Sequence, residues 1–195
     1  MTDFNLRSAA AAAVLCLASA SASASILSID VSGTDSWDEL DSPNNVVLTI
    51  DVAAALGAAS GTAVTIDGLG WELVLETFAT SWLSEATIAL ENSDQSDGLF
   101  LTPGLGDDFA GGATPYTSGG ILDLVGPDLD IDLFDGILVI QFFESFDDAA
   151  GFVDATWIAG TLELDATVVP VPAALPLLLS ALGIGAVVGR RRKVA

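Results

Sequence analysis

The charged side chains of this chain are distributed so unevenly that they limit what it can fold into. The chain has 195 residues, with 27 Asp or Glu, five Lys or Arg and no His. The basic residues are Arg7 and four residues near the C-terminus, so residues 25–168 contain acidic side chains and no basic one. A fold built from this segment has no salt bridge and must offset the repulsion among its carboxylates with an apolar core. Without a cation to neutralise phosphate, no nucleic-acid partner is expected.

Residues 169–195 combine three features in a fixed order. Val169, Pro170, Val171, Pro172 and Ala173 form a short stiff motif, because a residue before proline avoids the helical region. Residues 173–189 carry no charge, and a helix of this length rises roughly 25 Å, close to the ~30 Å hydrocarbon core of a bilayer. A basic cluster follows this apolar segment: Arg190, Arg191, Arg192 and Lys193. Together they predict a transmembrane helix whose C-terminal end lies in the cytoplasm.

This C-terminal pattern resembles the VPLPA-CTERM variant of the PEP-CTERM sorting signals of Gram-negative bacteria. The family motif has Leu where this chain has Val171. The resemblance implies recognition by an exosortase-type membrane protease, removal of the tail, and delivery to the cell surface or the extracellular matrix. The chain is then a substrate of the sorting reaction and contributes no catalytic residue to it. A plain single-pass membrane anchor is the alternative interpretation.

The N-terminus predicts export by the same logic. Arg7 precedes an apolar run at residues 9–18, and Ala22-Ser23-Ala24 forms an Ala-x-Ala cleavage site before Ser25. Residues 1–24 are therefore predicted to be a signal peptide with a signal helix, removed by signal peptidase. The only cysteine, Cys16, lies inside this segment, so the mature chain is expected to have no disulfide.

Residues 25–168 have the length of one domain and the pattern of strands. Val46, Leu48, Ile50 and Val52 alternate with other residues at a period of two. Gly, Asp, Ser and Asn separate such runs at short spacing, which predicts an all-β, antiparallel β-sandwich. The predicted strands are 26–31, 46–52, 63–66, 71–76, 86–90, 99–101, 121–125, 137–143 and 156–164. Residues 51–61 predict a helical turn, and residues 102–120 predict a long loop, either functional or covering a sheet edge.

Parts of this domain are similar to the jelly-roll P domain that follows bacterial proteases. Residues 82–90 resemble an early strand of that domain, and residues 136–143 with 157–164 resemble its closing hairpin. The resemblance implies a jelly-roll-like sandwich of two sheets in which loops can hold calcium. The Asp-Leu pair typical of the early strand is replaced here by Ser84 and Glu85, so no calcium site is carried over.

One acidic segment predicts a calcium site from its own spacing. Asp128, Asp130 and Asp132 recur every second residue, about 6.6 Å apart on one face of an extended segment, and Asp135 follows. Calcium takes six to eight oxygen ligands, which carboxylates at this density can supply. The alternative is a solvated strand face with Leu129, Ile131 and Leu133 turned to the core.

The sequence predicts a non-enzymatic protein, because it offers no His, Lys or Arg to act with a nucleophile in residues 25–168. A pair of carboxylates acting as in glycosidases is the one catalytic alternative. The aromatic residues allow a second hypothesis, a carbohydrate-binding surface module contacting extracellular polysaccharide. Side chains that can stack on sugars when exposed are Trp37, Trp71, Trp82, Tyr116 and Trp157, of which Trp71 and Trp157 fit core positions.

Overall fold

A computed structural model describes residues 24–124, 126, 129–147 and 151–170. Outside this range lie all but the last residue of the predicted signal peptide 1–24, with its signal helix, and the predicted membrane helix. The motif residues Val171, Pro172 and Ala173 and the basic cluster Arg190–Lys193 also lie outside it. Within the described residues, no helix has both the length and the hydropathy needed to cross a bilayer.

The described chain is mostly β-strand in two antiparallel sheets, which confirms the all-β prediction. The larger sheet has seven strands. Four of them lie side by side in the order β1, β11, β4, β7, while β2 pairs with β11, and β8 and β9 pair with β4. Their bounds are β1 Ala24–Asp30, β2 Thr34–Ser36, β4 Val64–Trp82, β7 Ala110–Thr117, β8 Leu122–Asp123, β9 Ile131–Leu133 and β11 Ala155–Val168.

The smaller sheet has four strands in the order β3, β10, β5, β6. Their bounds are β3 Val47–Asp51, β5 Ala86–Asn92, β6 Gly98–Leu101 and β10 Ile137–Glu144. Directly after β3, the short helix α1, Val52–Ala55, confirms the predicted helical turn. The carboxylate of Asp51 accepts a hydrogen bond from the Ala54 N–H at 2.8 Å and so caps the helix.

Both sheets contribute to one hydrophobic core. The inward residues of β10 are Leu138, Ile140 and Phe142, all fully buried, as the period of two requires. Trp157 on β11 is also fully buried, and its ring meets that of Phe142 edge-to-face with centroids 5.9 Å apart. This contact joins a strand of the larger sheet to a strand of the smaller one, and it confirms the predicted core position of Trp157.

The predicted strands 63–66 and 71–76 are not separate, because both belong to the single 19-residue strand β4. The glycines after Ile66 suggested a break, but the chain stays extended through Gly68. A Cβ on Gly68 would lie 2.7 Å from Ile121 Cγ2, so the glycine gives Ile121 room to pack against the strand.

Two other expectations were wrong. The predicted loop 102–120 contains β7, an edge strand whose residues are mostly exposed and which therefore lacks a hydrophobic alternation. The closing hairpin implied by the P-domain resemblance is absent from the described residues, because β10 and β11 belong to different sheets. The link between these strands carries the chain from the smaller sheet to the larger one.

Candidate functional site

Hydroxyl groups take the place that cations usually have beside carboxylates in this domain. Among the described residues, at least seven carboxylates each accept a hydrogen bond of 2.5–2.9 Å from a Ser, Thr or Tyr hydroxyl. Such bonds to a charged acceptor are stronger than neutral ones and satisfy the carboxylates without a salt bridge. The pairs are Thr156–Asp35, Ser42–Asp38, Ser96–Asp94, Tyr116–Asp107, Ser84–Asp108, Thr65–Asp132 and Ser93–Asp135.

These bonds change the acidity of several groups. Hydrogen bonds from the Ser42 hydroxyl and the Asn44 amide hold the pKa of the Asp38 carboxyl below its ordinary value. Burial, followed by the hydrogen bond to Asp107 and its charge, raises the pKa of the Tyr116 hydroxyl to about 12. Asp38 therefore stays ionised and Tyr116 stays neutral at physiological pH.

The predicted calcium residues are placed separately in the described part of the chain. Asp132 lies exposed on β9 between buried Ile131 and Leu133, as the solvated-face alternative requires. Asp135 lies in the turn after β9, where its two oxygens accept from the Ser93 hydroxyl and the Ile137 N–H. Asp130 precedes β9, and Asp128 lies outside the described residues. Leu129, expected in the core, is exposed.

The described residues thus contain no group of three or more Asp or Glu side chains disposed to hold a metal ion. Asp130, Asp132 and Asp135 do not form one by themselves. The backbone N–H of Asp132 instead donates to the Asp97 carboxylate at 2.8 Å, which ties β9 to the turn after β5.

The aromatic residues singled out for stacking are mostly enclosed. Trp37, Trp71 and Tyr116 are half-buried, and Trp71 and Tyr116 pack against the core. Trp82, at the end of β4, is 43% exposed. A more exposed ring, Phe100, lies on β6 and is 59% exposed.

Phe100 lies in a groove of about 500 Å³ on the outer face of the four-stranded sheet. We call this cavity the Phe100 groove; its lining residues are Glu39, Leu40, Thr87, Phe100, Thr102, Phe143, Glu144 and Ser145. Phe143 on β10 meets Phe100 edge-to-face, with centroids 5.7 Å apart and planes at 70°. The Thr87 and Thr102 hydroxyls are hydrogen-bonded to each other at 2.9 Å. The groove thus offers a fixed aromatic ring beside hydroxyl and carboxylate groups.

One wall of the Phe100 groove is held by a buried asparagine. The Asn45 carboxamide oxygen accepts from the N–H groups of Trp37 and Asp38, and its nitrogen donates to the carbonyls of Asp38 and Glu39. These four bonds fix the loop between β2 and β3, from which Glu39 and Leu40 reach the groove. The wall is therefore formed before any ligand arrives.

The surroundings of the Phe100 groove are acidic. A neighbouring hollow of about 460 Å³ shares Glu39 and Leu40 with it and is also lined by Asp38, Asp41 and Asp147. Partial burial raises the pKa of Glu91 on β5. The hydrogen bond from the Gln95 side chain lowers this pKa in part, and the negative charge of Asp41 raises it further. The effect of Asp41 on Glu91 indicates a negative potential along this side of the sheet.

A second groove, of about 380 Å³, crosses the larger sheet between β7, β4 and β11. Its lining includes Val74, Pro115 and Ala159, with Glu72 and Thr161 beside them. Tyr116 is its one aromatic lining residue, and its hydroxyl donates to Asp107 at 2.7 Å. Because this ring is half-buried, the groove lacks the open stacking surface that Phe100 provides.

β6 confirms the predicted strand 99–101, which contains Phe100, although the sequence did not predict Phe100 as a binding residue. Leu99 and Leu101 on either side pair with the inward residues Leu90 and Ile88, so the period of two sends Phe100 outward. An outward phenylalanine between two inward leucines was the available signal.

No protein-family model matches this sequence, and no curated protein matches it. Among solved structures, the chain is similar to the infectious bursal disease virus VP2 subviral particle, with 14% identity and a TM-score of 0.32 over 84% of this chain. This chain covers 37% of that VP2 chain, about a third of its length. It is also similar to the virus-like particle of the Macrobrachium rosenbergii extra small virus, with 10% identity and a TM-score of 0.27 over 84% of this chain and 94% of that one. Likenesses at these TM-scores carry no information about function.

Proposed function

We propose that this protein is an exported, non-enzymatic component of the cell surface or extracellular matrix of a Gram-negative bacterium. The observation that carries the proposal is that the described strands lie between the two predicted processing points. The predicted signal cleavage after Ala24 removes one residue of β1, Ala24–Asp30, and β11 ends at Val168, next to the sorting motif. The mature chain keeps the pairs from Ser25 with Ala166 to Asp30 with Thr161, so both predicted processing points leave this edge of the sheet in place.

The proposed route has two processing steps. Signal peptidase removes residues 1–24, and the basic cluster Arg190–Lys193 keeps the C-terminus cytoplasmic in an inner-membrane intermediate. An exosortase-type protease then cuts at the motif Val169, Pro170, Val171, Pro172, Ala173. The backbone N–H of Val169 donates to the Ala63 carbonyl at 2.9 Å, so the first residue of the motif is still hydrogen-bonded to the domain.

The finer fold proposed for the domain is a jelly-roll-like sandwich, supported by its two antiparallel sheets over a common core. Bound Ca²⁺ is proposed as a stabiliser of the domain. The domain contains 26 of the 27 acidic residues of the chain, the exception being Asp3 in the signal peptide, and divalent cations relieve the repulsion among them. The absence of His, Lys and Arg from residues 24–170 supports a non-enzymatic role.

Export and sorting are tested in a Gram-negative host that has an exosortase-type protease. We expect the wild-type chain at the cell surface or in the medium, and a Pro170→Ala, Pro172→Ala variant held in the membrane with its tail. Pro103→Ala, outside the motif, is the matched control and is expected to be processed normally. Retention of the apolar segment on the mature wild-type product would instead favour a permanently anchored membrane protein. A full-length chain soluble in the cytoplasm would contradict both the proposed sorting and the permanent membrane anchor.

A second function, carbohydrate binding, is favoured by the Phe100 groove. Its volume lies within the ~300–1,000 Å³ of small-molecule sites, and an exposed ring beside hydroxyls and a carboxylate suits a sugar. The test is retention on immobilised polysaccharide, where Phe100→Ala is expected to lose binding. Phe134→Ala removes a ring that is 55% exposed in the turn after β9 and serves as the control.

A further inference from the structure

We infer that the Phe100 groove selects a saccharide carrying free amino groups, such as a glucosamine oligomer, over neutral or acidic sugars. This inference rests on the proposed carbohydrate-binding function and names its ligand class. Three observations carry it: an exposed ring held in place, an acidic rim, and the absence of any basic side chain from residues 24–170.

The ring supplies the contact with the sugar itself. Phe100 is 59% exposed, and its ring contacts the buried Phe143 ring on β10 edge-to-face. A ring held in this way loses little side-chain entropy when a ligand stacks on it. A pyranose presents C–H groups to such a face, and a nearby ammonium is attracted by the negative face of the ring.

The charges decide which sugar fits. Glu39 lines the Phe100 groove, and Asp38 and Asp41 line the adjoining hollow. Because no Lys, Arg or His occurs in residues 24–170, a carboxylated or sulfated sugar would meet repulsion that no side chain could compensate. An ammonium group meets the opposite situation, since every charged side chain near the groove is acidic.

The polar groups inside the groove complement the sugar ring. The Thr87 hydroxyl donates to the Glu85 carbonyl at 3.2 Å and therefore accepts from Thr102 at 2.9 Å, so both hydroxyls keep lone pairs that can accept from a sugar hydroxyl or an ammonium group. Asn45 donates to the Glu39 carbonyl at 2.8 Å, so the backbone that carries this rim residue is held in place before binding. Neutral sugars can use the ring and the hydroxyls, whereas an amino sugar can use the rim as well.

The experiment measures binding of four short ligands to the full chain in an uncharged detergent at pH 5.5. They are the glucosamine trimer, the matched neutral N-acetylglucosamine trimer, the anionic galacturonic acid trimer and trilysine, which has charge but no sugar ring. Calorimetry is expected to give the glucosamine trimer an affinity about tenfold above the neutral trimer, and no binding of the anionic one. Phe100→Ala is expected to weaken glucosamine binding roughly fivefold, and Phe134→Ala to leave it unchanged.

A Glu39→Gln variant separates the rim from the overall charge of the domain. It is expected to weaken glucosamine binding by about two- to fivefold, the range of an exposed ion pair, while Glu72→Gln on the other sheet has no effect. Equal affinity for the glucosamine and neutral trimers would overturn this inference and leave carbohydrate binding standing. If neither the glucosamine nor the neutral trimer binds, both the amino-sugar inference and the proposed carbohydrate binding are overturned. If trilysine binds as tightly as the glucosamine trimer, the effect is general charge attraction and the inference is overturned.

Discussion

Replacing Trp157 with Ala tests whether the two sheets enclose one core. Trp157 is fully buried on β11 and touches Phe142 on β10, so the substitution removes contacts between sheets and leaves a cavity. Such replacements cost about 3–5 kcal/mol. The indole N–H also donates to the hydroxyl of buried Ser36 at 3.4 Å, and losing this partner adds to the upper part of that range.

The assay is urea unfolding of residues 24–170, followed by circular dichroism and tryptophan fluorescence. We expect the free energy of unfolding to fall by about 3–5 kcal/mol while the m-value stays constant. The exposed Phe146 provides the control, and Phe146→Ala is expected to change stability by less than about 0.5 kcal/mol.

A double-mutant cycle then isolates the contact between the sheets. Trp157→Leu and Phe142→Leu keep the core filled, and their coupling energy should be about 0.5–1.5 kcal/mol, the range of an aromatic pair. A cost below about 1 kcal/mol for Trp157→Ala, together with additive double mutants, would refute a core shared by both sheets.

Three further predictions concern backbone, charge and ions. Gly160→Ala should lower the free energy of unfolding by at least about 3 kcal/mol, because a Cβ there clashes with the Glu72 carbonyl and lies 2.6 Å from Leu73 Cα. The control, Gly33→Ala, places a Cβ with no atom within 4 Å and should cost about 1 kcal/mol. Similar losses for both variants would contradict this. The pKa of Glu91 is raised in the folded state, so ionisation of this carboxyl destabilises the fold. Glu91→Gln should therefore raise the melting temperature at pH 7, by the equivalent of less than about 1 kcal/mol, and should have no effect below the unfolded pKa near 4. A gain in melting temperature that persists at pH 3 would refute this. Calcium at millimolar concentration should raise the melting temperature of residues 24–170 relative to chelator, and magnesium at equal ionic strength is the control; an unchanged melting temperature would remove calcium from the account.

The strands could be predicted because most bury one face, and the sequence records that alternation. β3, β5 and β10 have apolar residues at a period of two or in short runs, and each lies within two residues of its predicted bounds. β7 was missed because it is an exposed edge strand of Gly, Thr and Ala, with no buried face to mark it.

Pairing between distant strands could not be predicted from local pattern. The glycine-rich interruption in β4 has the composition of a turn, and it is extended because Ile121, more than fifty residues later, packs against it. The hairpin expected from β10 and β11 failed for the same reason, since sequence proximity does not decide which sheet a strand joins.

The candidate site depended on side chains whose meaning comes from their neighbours. Tryptophans drew attention by type, yet Trp157 belongs to the core and Trp71 packs against it. Phe100 is distinguished only when β6 is placed beside β5 and the loop carrying Glu39 closes one side of the groove. The acidic segment from Asp128 to Asp135 suggested a common ligand set, but Asp132 and Asp135 lie on a strand and a turn with separate hydroxyl partners.

The intact mass of the product recovered from the cell surface tests the export account most directly. The account gives a polypeptide that starts at Ser25 and ends within residues 169–173, without Cys16 and without any basic side chain. A surface product that keeps Arg190–Lys193, or a chain that never leaves the cytoplasm and keeps Met1, would contradict it.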